Sequence, residues 1–523
     1  MVKKSDKKVE NTLYYGDNLE VLRKYITDES IDLIYLDPPF NSKATYNILF
    51  KEPTGDLSEA QITAFEDTWH WTKQTAESFQ EIIEFASPEI VNMMTAFKSF
   101  IGLNDVMAYL IMMCIRLIEL KRVLKDTGSI YLHCDPTASH YLKILMDTIF
   151  GKRNFRNEIT WHYRRWTNIQ RQFQRMHDIL LFYSKGDKFN YNPLKVEISE
   201  SQKRKFQRGW DQNVVLIEGK PQPQLIIYDQ KKVNRAIKEG RLDKNRFARI
   251  IQRGAPRVSS PDVWIIQPIN SQAKERLGYP TQKPETLLEK VILSSSNEGN
   301  IVLDPFCGCG TAIAVAQRLK RKWIGIDITH LAVNLIKFRL KNQFTLQPRK
   351  DYKVIGEPID LAGARALAKQ NRFQFQWWAL SLIEARPYGN KKKGADTGID
   401  GYMYFVDEKD KTKKIIVQVK SGGVSVKDIR DLGHVMEREK AEMSIFLTLE
   451  EPTTPMIKEA LGKGVYNSPT TRKPLPRIQV LTIEELLKGK YPELPRSFLL
   501  SSFKKAEKYN ENPQNNDLFD NNE

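Results

Sequence analysis

The chain has 523 residues, of which 41% are hydrophobic, 28% charged and 10% aromatic; these values exclude wholesale disorder and, at about 150 residues per domain, a single small fold. Its 81 Lys and Arg outnumber 64 Asp and Glu, and the net charge of +17 favours a polyanionic partner, nucleic acid ahead of an anionic membrane surface. No apolar run reaches the ~18 residues of a membrane span, because Met107 to Leu120 is interrupted by Arg116. The charged N-terminus has no apolar segment behind it, so it does not read as a secretory signal. Four cysteines (Cys114, Cys134, Cys307, Cys309) are too few for a disulfide framework and form no paired C-x-x-C. A cytoplasmic protein with reduced thiols and no membrane partner is expected.

From Asn11 the chain reads as strand (TLYYG), helix (DNLEVLRKYI) and strand (IDLIYL, followed by Asp37), a β-α-β unit of a parallel sheet covered by helices. An apolar-periodic helix spans about Asp105 to Leu124, followed by KDTG and the strand SIYLHC; its Met and Leu stripe reads as core. Residues 11–150 form this first half. From Lys152 to about Pro268 periodicity fades, and Arg, Lys and Gln mix with Trp, Tyr and Phe, giving a basic region at 151–270. Order returns over 271–350 with the helix PETLLEKVIL, the strand NIVLDP, a glycine-rich turn, the helix TAIAVAQRLK and the strand KWIGIDI. A separate unit at 361–495 carries a helix (WWALSLIEAR), two strands (GYMYFV, KIIVQVK), a helix (VKDIRDLGHVMEREK) and a strand (MSIFLTL). The Asn-rich tail, 500–523, is expected to be disordered.

In VLDPFCGCGTA a buried strand ends at Asp304, and a turn with Gly308 and Gly310 opens into a helix near Thr311. Glycines let a ligand approach the backbone, and a helix N-terminus offers free N–H groups. The next strand ends at Asp327, seventeen residues after Gly310, where a carboxylate can accept both hydroxyls of a ribose. The unit should bind a nucleoside-containing cofactor. It is not the dinucleotide fingerprint, since position 313 is Ile. The Cys307/Cys309 pair lacks the second pair that a metal site would need. Asp37-Pro38-Pro39-Phe40 follows another buried strand. The prolines stiffen the loop, and Pro38 keeps its carbonyl oxygen. Asp37 and that carbonyl present two acceptors beside an aromatic face, suited to an exocyclic amine whose lone pair must be turned toward an electrophilic methyl group. A loop that merely ends a strand is the competing reading.

LDPPF, a basic region, TQKPETLLEKVI and LDPFCGCGT, in that order, resemble the beta class of amino DNA methyltransferases that use S-adenosylmethionine, over residues 12 to 347. The resemblance implies a Rossmann-like sheet with an inserted target-recognition domain. It implies a catalytic loop of Asp37, Pro38, Pro39 and Phe40, with Phe40 stacking on the base. Asp304, Phe306, Gly308 and Gly310 would surround the methionine part of the cofactor, Asp327 would bind its ribose, Asp17 would lie near its adenine, and Gln282, Lys283 and Pro284 would open a helix over it. Asp at the first catalytic position favours N6 of adenine; N4 of cytosine, RNA as substrate, and a nucleic-acid-binding protein with a vestigial pocket stay as alternatives. The target base must be flipped out of the duplex.

Residues 151–260 hold 25 Lys and Arg against 10 Asp and Glu, so +15 of the +17 sits there. Arg164, Arg165, Arg171, Lys203, Arg204, Lys205 and Arg208, interleaved with Trp161, Tyr163, Trp166 and Trp210, read as the surface for double-stranded DNA. His162 and His177 are expected to contact DNA or pack. His133, Cys134 and Asp135 are read as pocket wall, whereas Trp69 and Trp71 lid the pocket or fill a satellite core.

In the last unit Gly398-Ile399-Asp400-Gly401 precedes a hairpin, and Gln418-Val419-Lys420 closes its second strand. Period-2 alternation puts Gln418 and Lys420 on one face, with Asp400 beside them and Glu384 on the preceding helix. Asp400 and Gln418 could hold Mg²⁺ for water attack on a phosphate. The unit resembles the Mrr-like branch of the PD-(D/E)XK nucleases, with Gln418 in place of the usual acid; a degenerate domain kept for DNA binding is the competing reading. The whole is expected to be an α/β adenine methyltransferase joined to a restriction-type nuclease domain, its oligomeric state left open, a homodimer included.

Overall fold

The computed structural model describes residues 10–39, 45–51, 57–66, 71–165, 171–194, 200–253, 260–270, 273–279, 281–388, 398–408, 411–469, 472–495 and 499–500. Phe40, Trp69 and Trp166 lie outside them, as do most of the Asn-rich tail residues.

A nine-stranded sheet runs in the order Val263–Ile265, Phe155–His162, His177–Ser184, Leu124–Cys134, Ile31–Leu36, Ile301–Asp304, Lys322–Asp327, Thr12–Tyr15, Lys353–Ile355. The last six are parallel, and His177–Ser184 is antiparallel to both of its neighbours. Alternation feeds two cores: in Ile31–Leu36, Ile34 and Leu36 join one cluster and Leu33 and Tyr35 the other. From Ile301–Asp304 the chain continues to one side, into Lys322–Asp327, while Ile31–Leu36 flanks it on the other. This reversal opens a crevice at the strands' C-terminal ends, where open α/β sheets hold their ligands. The junction is locked by Asp32, buried at 5% exposure, which accepts the N–H of Ile301 (2.9 Å) and pairs with Lys125 (2.7 Å).

The helix Asp105–Val123 starts on Asn104, whose side chain accepts the Met107 N–H, and buries twelve of its residues, packing on the helices Asn18–Tyr25 and Lys73–Phe85 and on the strand Leu124–Cys134. Its one arginine before the last turn, Arg116, is turned inward. Among the described residues no helix is long and apolar enough to cross a membrane. All four cysteines are free and buried.

The basic region is divided. Phe155–His162 and His177–Ser184 extend the main sheet, so 151–191 packs with the methyltransferase-like halves, and residues 192–262 form a second compact unit. In that unit Trp210–Ile217 and Lys220–Ile227 make a hairpin turned by Glu218 (φ 50°) and Gly219 (φ 76°), the doubly left-handed two-residue turn that suits strand twist. Arg249–Gln252 adds a third strand. The core is Trp210, Leu225, Ile227, Val233, Ala236 and Leu242, under the helix Gln230–Lys238.

After residue 361 a six-stranded sheet runs Arg386–Pro387, Gly401–Glu408, Lys411–Lys420, Met443–Thr448, Ile478–Thr482, with Leu499–Leu500 pairing antiparallel to Gly401–Glu408 off this path; it is antiparallel in its hairpin and parallel from Lys411–Lys420 onward. The helix Arg372–Leu382 joins it to the preceding part: Trp377 packs on Leu277, Tyr279, Leu331 and Leu335, and Gln374 accepts the N–H of His330 (3.0 Å). The order helix, two strands, helix, strand matches the sequence reading.

Candidate active sites

The crevice holds a cavity of about 270 Å³, just under the ~300–1,000 Å³ of most ligand pockets, lined by Asp17, Asp37, Pro38, Pro39, Asp304, Phe306, Gly308 and Asp327, with Tyr35 and Tyr279 as aromatic walls. With Lys283, nine residues expected from the sequence thus meet in one place although more than 300 positions separate the first from the last. Gly310 sits just behind, at the start of the helix Thr311–Arg318, with φ 73°; a Cβ there would lie 2.8 Å from Ile336 Cγ1. Gly310→Ala is therefore expected to destabilise this part by about 2–3 kcal/mol through left-handed backbone strain and overpacking, read as a lowered denaturation midpoint.

Each carboxylate has a distinct environment. Asp17 caps the helix Asn18–Tyr25 by accepting the Leu19 N–H (2.8 Å) and pairs with Arg116 (2.8 Å), which also donates to Asn18 Oδ1 (2.6 Å). Burial of the guanidinium lowers the Arg116 pKa, which Asp17 partly restores. Asp327 accepts the N–H and hydroxyl of Thr329 on Oδ1 (2.9 Å each) and the N–H of Gly308 on Oδ2 (2.9 Å). Burial nevertheless pushes its pKa up to about 6. Burial also pushes Asp304 well above the ordinary carboxylate range, with Asp37 and Asp327 adding to the effect.

A raised folded-state pKa means that the Asp327 anion is disfavoured: its stabilising contribution is present below the ordinary carboxylate pKa and is lost as pH rises through about 6. A ligand whose hydroxyls donate to the anion, as the ribose expected at Asp327 would, reverses the sign. Affinity for S-adenosylhomocysteine should rise up to about tenfold from pH 5 to pH 7 by calorimetry, and Asp327→Asn should flatten that dependence.

Asp37 is held from both sides. Its Oδ2 takes the Lys283 ammonium, and its Oδ1 faces His133 Nδ1 at 3.7 Å. His133 is fully buried; Nδ1 meets the Tyr35 hydroxyl (2.9 Å) and Nε2 meets Asp178 Oδ2 (3.4 Å), whose Oδ1 accepts from Tyr163 (3.2 Å). Burial opposes ionisation of Asp178, yet His133, Lys283 and Tyr163 outweigh it and hold its carboxyl below the ordinary value. His133, read as pocket wall, is thus wired between Asp37 and Asp178. Cys134 is buried in the same strand, and Asp135 accepts the Ala138 N–H.

The segment 282–284 divides. Lys283 lines the cavity together with Thr281, whereas Gln282 turns away, accepting the Leu277 N–H (2.8 Å) and donating to Glu275 O (2.6 Å), and Pro284 caps the helix Glu285–Ser295. Trp71 packs against the core beneath. Arg164, Arg165, Arg171 and Arg204 are exposed, and Arg208, also exposed, lies over the Trp210 ring and pairs with Asp211. Lys203 lies in the helix Glu200–Arg208, its side chain outside the described residues.

A second constellation lies on the C-terminal sheet. The Asp400 N–H donates to Val417 O (2.9 Å), and its Oδ2 accepts the Val419 N–H (2.7 Å), which sets the carboxylate beside Gln418. Gln418 is 7% exposed and its Oε1 has no hydrogen-bond partner among the described residues. Lys420 follows on the same strand face, 3.5 Å from Asp428. Glu384 falls elsewhere: it lies past the helix end with φ 56°, 71% exposed, paired with Lys341 (2.7 Å). The helix residue that reaches Asp400 is Gln376, donating to Oδ1 (2.9 Å). A carboxylate beside an orphaned buried amide oxygen is a hard-oxygen pair that fits Mg²⁺.

The DNA methylase family model N6_N4_Mtase matches residues 31–338, and the restriction endonuclease model Mrr_cat matches residues 367–468. The type II methyltransferase M.EcaI of Enterobacter cloacae is 29% identical over 266 residues, 44% of this chain and 57% of its own. M.HpaI of Haemophilus parainfluenzae is 30% identical over 245 residues, 47% of this chain and 63% of its own. This chain thus spans about three fifths of the length of these curated relatives. The DNA modification methylase TTHA0409 of Thermus thermophilus, solved with S-adenosyl-L-methionine, is 16% identical, with a TM-score of 0.32 over 64% of this chain and 93% of that one. With a family model covering more than half of its length, the chain belongs to the DNA methylase family.

Proposed function

We propose that the protein transfers a methyl group from S-adenosylmethionine to the exocyclic amine of a base in double-stranded DNA, adenine N6 by preference, and that its C-terminal domain cleaves DNA with Mg²⁺. The observation that carries the reading is the convergence of Asp37 and Pro38 with Asp17 and Asp327 in one cavity at the sheet's reversal point. The residues fit the cofactor: Asp17 and Asp327 are acceptors for an amine and a ribose diol, and Ile328 supplies an apolar rim at 59% exposure. Side chains at 308 and 310 would press on Tyr279 and Ile336. When bound, S-adenosylmethionine supplies an electrophilic methyl group.

Asp37 and the Pro38 carbonyl would accept the two N–H groups of the target amine, localising its lone pair. Once the nitrogen carries the methyl group it holds one proton too many, which Asp37 can take, with His133 and Asp178 behind it. In the second site Asp400 and Gln418 would hold Mg²⁺, which polarises a phosphate and activates water. Exposed Arg164, Arg165, Arg171, Arg204 and Arg208 would neutralise phosphates.

Methylome sequencing of cells expressing the protein tests the reading: N6-methyladenine at one sequence context supports it, N4-methylcytosine reassigns the base, and unmodified DNA sinks it.

A further inference from the structure

We infer that Lys283 occupies the target-amine position of the base-free site and must be drawn off Asp37 by the cofactor, so that it couples cofactor binding to acceptance of the base; the inference rests on the methyl-transfer reading. Asp37 Oδ1 faces the His133 ring, which is held by Tyr35 and Asp178 and is fully buried. That leaves Oδ2 as the side where an incoming amine can donate, and the Lys283 ammonium is bonded there.

The two side chains are 12% and 17% exposed, so water competes weakly with their contact. A charge-assisted hydrogen bond is roughly twice as strong as a neutral one. A neutral exocyclic amine therefore cannot displace the ammonium unless the ammonium gains another anion. Lys283 also lines the cofactor cavity, and its flexible four-carbon stem carries three donors that can turn to a new partner. The class of ligand that can draw it away is one with an amino-acid carboxylate, which S-adenosylmethionine and S-adenosylhomocysteine both have. Linkage makes the effect reciprocal: whatever factor the cofactor adds to base binding, the base adds to cofactor binding.

The test uses the full chain, S-adenosylhomocysteine as an unreactive probe, and labelled duplexes carrying the methylome-derived site, followed by fluorescence anisotropy. For the wild type, S-adenosylhomocysteine should tighten duplex binding within the roughly 5–150-fold range of ordinary allosteric coupling. A duplex with unsubstituted purine at the target position brings no amine to Asp37 and should gain less. Lys283→Met should bind duplex with an affinity that S-adenosylhomocysteine changes by less than about twofold, and Lys283→Arg should keep part of the coupling. An uncoupled wild type, an equal gain with purine, or full coupling in Lys283→Met would overturn the inference. Failure of S-adenosylhomocysteine to bind the wild type in calorimetry would instead overturn the methyl-transfer reading beneath it.

Discussion

Asp37→Ala is expected to abolish transfer of labelled methyl groups to DNA, and Asp37→Asn to lower kcat by about 10²–10³, the usual loss when one aligned electrostatic contact is removed. Asn keeps the volume and one acceptor oxygen but loses the charge, so the amine lone pair is less well localised. Cofactor affinity should not fall in Asn, because Asp17 and Asp327 are untouched and Lys283, no longer facing an anion, is freer to meet the cofactor carboxylate. Both variants leave Lys283 in a nearly closed site without the anion that Oδ2 provided, and Ala also removes the acceptor oxygen and the volume that Asn keeps. Calorimetry with S-adenosylhomocysteine should show binding at least as tight as wild type for Asn, so that its loss of transfer is a loss of chemistry, and comparison with Ala reads the effect of the space left behind. A wild-type transfer rate in Asn would remove Asp37 from the catalytic assignment.

The parts of this site legible in the sequence share one property: Asp37, Asp304 and Asp327 stand at the ends of buried strands, and a parallel sheet places such ends together. What escaped depends on distant pairing. Asp178 meets His133 only because Leu124–Cys134 and His177–Ser184 pair antiparallel, with His133 opposite Leu180. Arg116 did leave a signal, a lone charge inside an apolar helix, but a sequence cannot say that Asp17, 99 positions away, receives it. Gln376 is hidden by helix phase: the sequence offers Glu384 as the unit's preceding carboxylate, yet the helix stops at Leu382 and the left-handed turn sends Glu384 to the surface. The boundary of the basic region blurred for a related reason. Phe155–His162 lies next to the edge strand and is only partly buried, so its alternation is weak and it reads as part of the irregular insert.

The C-terminal site yields the other large effect. Asp400→Ala should reduce Mg²⁺-dependent cleavage of unmethylated plasmid to the limit of detection, because Asp400 is the charged oxygen donor beside Gln418. The informative variant is Gln418→Glu. The wild-type amide oxygen is buried and without a partner among the described residues, a cost that a bound cation would relieve. A carboxylate at the same position adds full negative charge next to the cation and should lower the Mg²⁺ concentration for half-maximal cleavage by on the order of tenfold. In the absence of cation the same change puts two carboxylates side by side at a buried position, so Gln418→Glu should be less stable in chelator and regain stability on adding Mg²⁺, readable by thermal denaturation. That stability readout does not require turnover. If Mg²⁺ changes neither the melting of Gln418→Glu nor the cleavage by the wild type, the orphaned amide belongs to a domain that retains the fold of a nuclease without its metal chemistry.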